Sequence, residues 1–339
     1  MSPRTVFSKI QSSLLTLAIL AILPLEAGAA ASSAQATVPD TSHAAPAQVA
    51  QPPGVYRLSI GDFRVTALSD GTVPQDLHAL LTGTTPKDTD ELLTRGFRQN
   101  PVEASINAFL IEANGHLLLV DTGAGEFFGP GYGGKLAQSL QAVGIAPAQI
   151  TEVLITHVHT DHVGGLTRAG KIQFPHARVF VGKPDLDFFL DAANSARTGY
   201  AKKYFDEAAT ALGPYVGAGS VVGLSGQQEI LPGVTAIPTP GHTPGHYFYR
   251  IASRGQELTF LGDIIHVASV QFPEPAITIV YDVDPKAAAS MRKERFAAIA
   301  RGRDLVAAAH LPFPGIGNIR VDGKAYAWVP VDYEWRERQ

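Results

Sequence analysis

Short apolar runs organise this chain, and most of them end on a polar or glycine-containing turn. Val153-Leu154-Ile155 is one such run and reads as a buried strand. Residues 56–68 suggest a strand pair turning at Ile60-Gly61-Asp62, and residues 106–111 and 116–120 a hairpin around Asn114-Gly115. Helical spacing covers 85–95 and 135–143; in the second, Leu136, Leu140 and Val143 share a face and Gly144 stops the helix. Val179-Phe180-Val181 is a further strand, followed by an aromatic-studded helical stretch over 184–212. Residues 233–238, 247–251 and 258–261 read as strands and 305–309 as the last buried one. Between them, 285–301 reads as a helix with Asp284 as N-cap, Pro285 in its first turn and Gly302 as terminator. No internal repeat or second linker appears, so one domain over 54–339 is expected.

The first 29 residues have the form of a secretory leader. Arg4 and Lys9 supply the positive start, residues 14–25 the apolar core, and Ala27-Gly28-Ala29 a small-residue cleavage site. That apolar core is shorter than the ~20 residues of a spanning helix, so export and cleavage are expected, with no membrane anchor afterwards. Residues 30–53, rich in Ala, Ser, Pro and Gln, form an expected disordered linker. A formal net charge of −4 with no basic run gives no sign of a nucleic-acid partner. The chain has no Cys, which excludes disulfides and a lipid-modified thiol and is compatible with a bacterial periplasm.

The absence of Cys also shapes the candidate chemistry. Thr156-His157-Val158-His159-Thr160-Asp161-His162 packs four metal-ligand side chains into six positions, directly after an apolar strand and before Gly164-Gly165. Three desolvated imidazoles and a carboxylate would repel or go unsatisfied without a metal. Imidazoles with a carboxylate and no thiolate suit zinc or a similar divalent ion, and a structural zinc site would normally be closed by Cys. A catalytic centre is therefore expected. Three later segments also end strands on ligand-type residues: Thr239-Pro240-Gly241-His242, Leu261-Gly262-Asp263, and His310 after 305–309.

This arrangement resembles the metallo-β-lactamase superfamily, through Asp121 in Val120-Asp121-Thr122-Gly123, His157-x-His159-x-Asp161-His162, His242, Asp263 and His310. Over nearly the whole mature chain it is similar to the methyl parathion hydrolase family of secreted organophosphate-degrading enzymes. That likeness rests on residues 66–74 (Thr-Ala-Leu-Ser-Asp-Gly-Thr-Val-Pro), 241–246 (Gly-His-Thr-Pro-Gly-His) and 310–317 (His-Leu-Pro-Phe-Pro-Gly-Ile-Gly). The resemblance implies an α/β (α+β) fold, a four-layer αββα sandwich. It also implies a two-metal site in which His157, His159 and His242 hold one ion, Asp161, His162 and His310 the other, and Asp263 bridges them. Asp121 is expected behind a ligand imidazole, fixing its tautomer. His246 is expected to stabilise its turn or support His242, and His266 to pack near Asp263. His43, His78, His116 and His176 read as surface or linker residues. Phe128, Phe189, Tyr204 and Phe205 fall where the resembling family lines its substrate pocket, although the family pattern carries Trp at the Phe189 position.

The expected function is hydrolysis by a hydroxide held between two divalent ions, with Asp161 and Asp263 as its carboxylates and zinc as the first expectation among zinc, manganese, cobalt, iron and cadmium. Organophosphate triesters are the first expected substrates. A lactone or aryl ester is the alternative, in which a poorer leaving oxygen calls for help from a tyrosine such as Tyr204. A non-catalytic binding protein is the third reading, disfavoured because all seven ligands are present. The partner is thus a small ester or triester, and a homodimer is an open expectation from the family.

Overall fold

The apolar runs pair into two seven-stranded sheets whose strands neighbour one another in the order they occur in the chain. The structure is a computed structural model that describes residues 51–334; the leader at 1–29, His43 and all but the end of the 30–53 linker lie outside the described residues. The first sheet comprises β1 (Val55–Ile60), β2 (Phe63–Gln75), β3 (Val102–Ala113), β4 (His116–Val120), β5 (Glu152–Leu154), β6 (Arg178–Gly182) and β7 (Val221–Leu224). The second comprises β8 (Gln228–Leu231), β9 (Val234–Pro238), β10 (Tyr247–Ser253), β11 (Gln256–Phe260), β12 (Leu305–Ala307), β13 (Ile316–Asp322) and β14 (Ala325–Pro330). The longer helices are α1 (Pro86–Arg95), α2 (Leu136–Ala142), α4 (Lys183–Phe189), α5 (Ala193–Thr198), α6 (Lys202–Gly217) and α7 (Pro285–Gly302), with a single turn α3 at Thr160–Val163.

Both faces of each sheet are covered, which is why the strands read as nearly continuous apolar runs. Phe109, Ile111, Val120 and Phe180 of the first sheet meet Tyr249, Ile251, Leu258 and Phe260 of the second in the central core. On the outer face of the first sheet Leu110, Leu119, Val153 and Val179 pack with Leu140, Phe205 and Leu212 of the helices. Phe248, Leu261 and Val306 pack with Phe296 and Ile299 of α7 on the other side. The layers run αββα, as the resemblance implies.

Strand direction places the chemistry. β4, β5 and β6 are parallel neighbours, so Asp121, the histidine-rich turn and the start of α4 leave the sheet at one end. In the second sheet β9 and β11 flank the antiparallel β10, and β12 is parallel to β11. The segments carrying His242, Asp263 and His310 therefore also leave at one end.

Several expectations change. The stretch at 184–212 is three helices, because Asp191 accepts a hydrogen bond from Ala193 N–H and restarts the chain as α5. Gly302 stays within α7, and Arg303 takes the left-handed cap at φ 58°. The segment 305–309 is not the last strand: β13 and β14 follow as a hairpin turning at Gly323-Lys324. Its outer halves are exposed, so the alternation that marks a half-buried strand is weak there. The strands β7 and β8 were also absent from the sequence reading.

Tyr249 links the two sheets at the base of the histidine-rich turn. Its buried hydroxyl donates to Ile155 O at 2.8 Å, one residue after β5. Tyr249→Phe leaves that carbonyl without its donor and should cost about 1–3 kcal/mol of stability, read as a lower urea midpoint with an unchanged slope; an unchanged midpoint would refute the link.

Candidate metal centre

Each donor side chain is set by the backbone that leaves its strand. After β5, Ile155 continues the ladder to Phe180 O, and the chain then turns away through Thr156–His159 into α3, whose N-cap is His159. Asp121, at φ 58° just past β4, holds this turn: Oδ1 accepts from Thr156 N–H, and Oδ2 from the Thr156 hydroxyl and from His162 Nδ1–H, each at 2.8 Å. The Thr122 N–H and hydroxyl both donate to His162 O at 2.8 Å.

The second sheet supplies the rest. Gly241, at φ 146°, lets the His242 loop lie against α7, where a Cβ would stand 2.6 Å from Ala288 N. Gly262, at φ 48°, lets the chain turn beneath the His246 ring, where a Cβ would meet Nε2 at 2.6 Å. The Asp263 N–H then donates to His246 Nε2 at 3.0 Å, and His246 Nδ1–H donates to Thr239 Oγ1 at 2.8 Å. His246 therefore supports Asp263, not His242 as one sequence alternative held. His310 is reached from the first sheet: its Nδ1–H donates to Ser105 O at 2.8 Å, while the Asn107 amide donates to the carbonyls of Ala308 and Leu311.

The seven expected side chains meet in one space. His157 Nε2 and His242 Nε2 each lie 3.0 Å from His159 Nδ1. Asp263 Oδ2 stands 3.6 Å from both of those Nε2 atoms, and its Oδ1 stands 3.2 Å from His162 Nε2. His310 Nε2 is 3.0 Å from Asp263 Oδ2 and 3.5 Å from Asp161 Oδ2. Four overlapping donor groups result among the described residues: His157–His159–His242, Asp161–His162–His310, and two that contain Asp263, with His157 and His162 or with His242 and His266, so Asp263 stands between the first two. Donors about 2.0–2.1 Å from one ion lie roughly 3–3.5 Å apart, and the separations here run from 3.0 Å to 3.8 Å. His162 Nε2 and Asp263 Oδ1 are buried with no hydrogen-bond partner among the described residues, and both point into this space. The arrangement fits two divalent cations.

Burial holds the His157 and His159 imidazoles well below their ordinary pKa, so their lone pairs are free to bind metal. Burial works the same way on His162, yet the carboxylates of Asp263, Asp121 and Asp161 outweigh it and push that imidazole up. Burial would raise Asp263, and the surrounding imidazoles, His162 and His310 foremost, hold it well down. The centre thus keeps an ionised carboxylate at its middle. Burial lowers His266 to about 4; neither ring nitrogen has a hydrogen-bond partner of good geometry among the described residues, and Nε2 lies 3.2 Å from Asp263 Oδ2, so it adjoins the site as expected.

Two outer partners escaped the sequence reading. Asp282 accepts from His242 Nδ1–H at 2.8 Å, and the Tyr200 hydroxyl accepts from His159 Nε2–H at 2.8 Å while donating to Tyr281 O. Asp282 stands in Tyr281-Asp282-Val283-Asp284-Pro285, where Asp284 had the plainer role of helix cap. The pocket aromatics need correction. Phe189 and Phe205 are only 1% and 2% exposed and belong to the core, Phe189 packing edge-on to the His159 ring at 5.6 Å. Ring packing in a dry layer claims them. Tyr204 is half-buried, 5.4 Å from the His159 ring, and so does adjoin the site. Phe128 is half-buried on the glycine-rich loop, and no described contact joins it to the donors.

Residues 102–310 match the family model of the metallo-beta-lactamase superfamily. Curated relatives include the uncharacterized protein YobT of Bacillus subtilis (strain 168), 32% identical over 43% of this chain and 56% of its own length. The N-acyl homoserine lactonase AttM of Agrobacterium fabrum is 29% identical over 33% of this chain and 40% of its own. The chain thus spans about half the length of the curated relatives it matches. Among solved structures, the hydrolase AbOPH of the beta lactamase superfamily is 34% identical with a TM-score of 0.78, over 84% of this chain and all of that one. AidC, a dizinc quorum-quenching lactonase solved with a product, N-hexanoyl-L-homoserine, is 25% identical with a TM-score of 0.75, over 83% of this chain and 99% of its own.

Asp282→Ala should weaken zinc binding roughly 10–100-fold, measured by competition with a chromophoric chelator, and unchanged affinity would remove Asp282 from the centre. Phe189→Trp should overpack the layer behind His159 and cost about 1–3 kcal/mol in thermal or urea unfolding. A fully stable variant with altered substrate ranking would restore Phe189 to the pocket.

Proposed function

This chain belongs to the metallo-beta-lactamase superfamily, and from that premise we propose that it is a two-metal hydrolase of carboxylic esters, lactones or aryl esters, with phosphotriesters as the second substrate class. The observation that carries this reading is the pair of donor groups sharing Asp263. In the proposal His157, His159 and His242 hold one ion and Asp161, His162 and His310 the other, with zinc the first choice because AidC is a dizinc enzyme. Bound there, two divalent ions lower the pKa of water towards ~7 and act as Lewis acids on the oxygen of the scissile group.

The chain's own residues do the remaining work. Asp263 is enclosed, so its charge serves the cations and not the solvent. Asp161 differs: its side chain is 14% exposed, the most open of the seven, which places it to orient the incoming water and accept its hydrogen bond. Tyr204 lies 5.4 Å from the His159 ring, its hydroxyl pushed up to about 12 by burial and then by Asp161 and Glu207. A phenol that keeps its proton through the neutral range can donate to a leaving alkoxide, the assistance that an unactivated ester or lactone needs. An aryl oxide leaves readily without it.

Two observations put the ester class ahead of the triester expected from the sequence. The relatives named for an acyl homoserine lactone act on a cyclic ester, and a protonated tyrosine beside the centre is of most use to a poor leaving group. The sequence likeness to organophosphate-degrading enzymes keeps the triester as the second reading. We also retain the proposal of export, which rests on residues 1–29 alone.

Values of kcat/KM for an acyl homoserine lactone, an aryl lactone and methyl paraoxon separate the classes. The expected result is a lactone rate at least about 100-fold above the triester rate, a transition-state preference of about 2.7 kcal/mol. A triester preference of that size would reverse the order, and no turnover of any activated substrate by metal-replete protein would remove the enzyme reading.

A further inference from the structure

One buried carboxylate joins the two segments that carry the three imidazoles. Asp185 lies in the first turn of α4 and is 0% exposed, and no cationic side chain pairs with it among the described residues. Its Oδ2 accepts from Val158 N–H at 2.9 Å and from the Thr243 hydroxyl at 2.8 Å, and its Oδ1 accepts from Gly245 N–H at 2.6 Å. Val158 sits between His157 and His159, and Thr243 directly follows His242. The fit is close. A Cβ on Gly245 would stand 2.4 Å from Asp185 N, and one on Gly182, at the end of β6, would stand 2.1 Å from Gly245 O.

The other donor group is anchored separately. His162 is held by Asp121, and His310 by Ser105 O and the Asn107 clasp, and Asp185 bonds to none of these. A group that ties the His157–His159 turn to the His242 loop acts directly on the mutual distances of one donor set and reaches the second only through the backbone of α3, whose N-cap is His159.

We propose that Asp185 is a positioning residue for the three-imidazole cation position, which alone of the two depends on its carboxylate. The inference rests on the reading of His157, His159 and His242 as ligands. An amide in its place turns an NH₂ group towards donors that need an acceptor, so the turn and the loop lose their common anchor.

The test is the zinc content of desalted full-length protein by elemental analysis, with free zinc set by a buffer. Wild type should hold two ions per chain. Asp185→Asn should hold one, the second returning only at roughly 10–100-fold higher free zinc. His310→Ala should also hold one, and the double variant none, because the two changes strike different positions. Should Asp185→Asn fail to fold, Thr243→Val, which removes one donor and keeps the carboxylate, should show a smaller shift in the same direction and the same loss of both ions when combined with His310→Ala. Two ions bound by Asp185→Asn at wild-type affinity would overturn the assignment, and so would a double variant that still holds one. A wild-type protein that binds no ion overturns the metal reading itself, and this inference with it.

Discussion

A neutral imidazole offers one lone pair and one N–H, so aiming five of them at a common space requires five acceptors behind them. This chain supplies every one. Thr156 stands behind His157, Tyr200 behind His159, Asp121 behind His162, Asp282 behind His242 and Ser105 O behind His310. Each fixes which nitrogen carries the proton and so which faces inward. The inward atom is Nε2 for four of them and Nδ1 for His159, and the tyrosine on its Nε2 makes that exception possible.

Those acceptors come from one strand of the first sheet, at Ser105, and otherwise from loops, which explains why the loops are so heavily pinned. A loop at a strand end carries backbone N–H groups that no ladder satisfies, and a buried carboxylate can take up three of them with charge-assisted bonds. Asp70 does so for Ala124, Gly134 and Leu136, beside Asp121; Asp121 holds Thr156 and His162; Asp185 holds Val158, Thr243 and Gly245. Burial raises Asp70 and Asp185 to about 6 despite their three donors each, so desolvation outweighs those bonds. The clamps fix geometry more than they add net stability.

The ligands were legible in the sequence because their spacing is short and their setting repeats: an apolar run, then a histidine or aspartate. His157, His159, Asp161 and His162 need no tertiary knowledge to be grouped, and His242, Asp263 and His310 share the strand-end setting. Asp282, Tyr200 and Asp185 were not legible, since each takes its role from a partner 27 or more residues away and has a plainer local setting, two residues before a helix cap, in an aromatic helical stretch or in a helix's first turn. The layer order came from the family resemblance and not from the strand pattern, and the strands apolar on both faces agree with it. Phe189 and Phe205 mark the limit, because an aromatic near a site in sequence can face the pocket or stand behind the ligand, and only packing decides.

The two donor groups are alike in outline and unequal in charge. Each contains one imidazole backed by a carboxylate, His242 by Asp282 and His162 by Asp121, so each has one strengthened nitrogen donor. Asp263 is common to both. Asp161 belongs to one group only, so an ion held with His162 and His310 faces a carboxylate that an ion held by the three imidazoles does not. An ion held by the three imidazoles would be the less neutralised of the two and would supply the stronger Lewis acid towards a substrate oxygen. Asp161, the most open of the seven at 14% side-chain exposure, belongs to the better neutralised position, where it could accept from an incoming water. The unshared carboxylate of Asp161 is thus the feature that would distinguish the two ions in the proposed reaction.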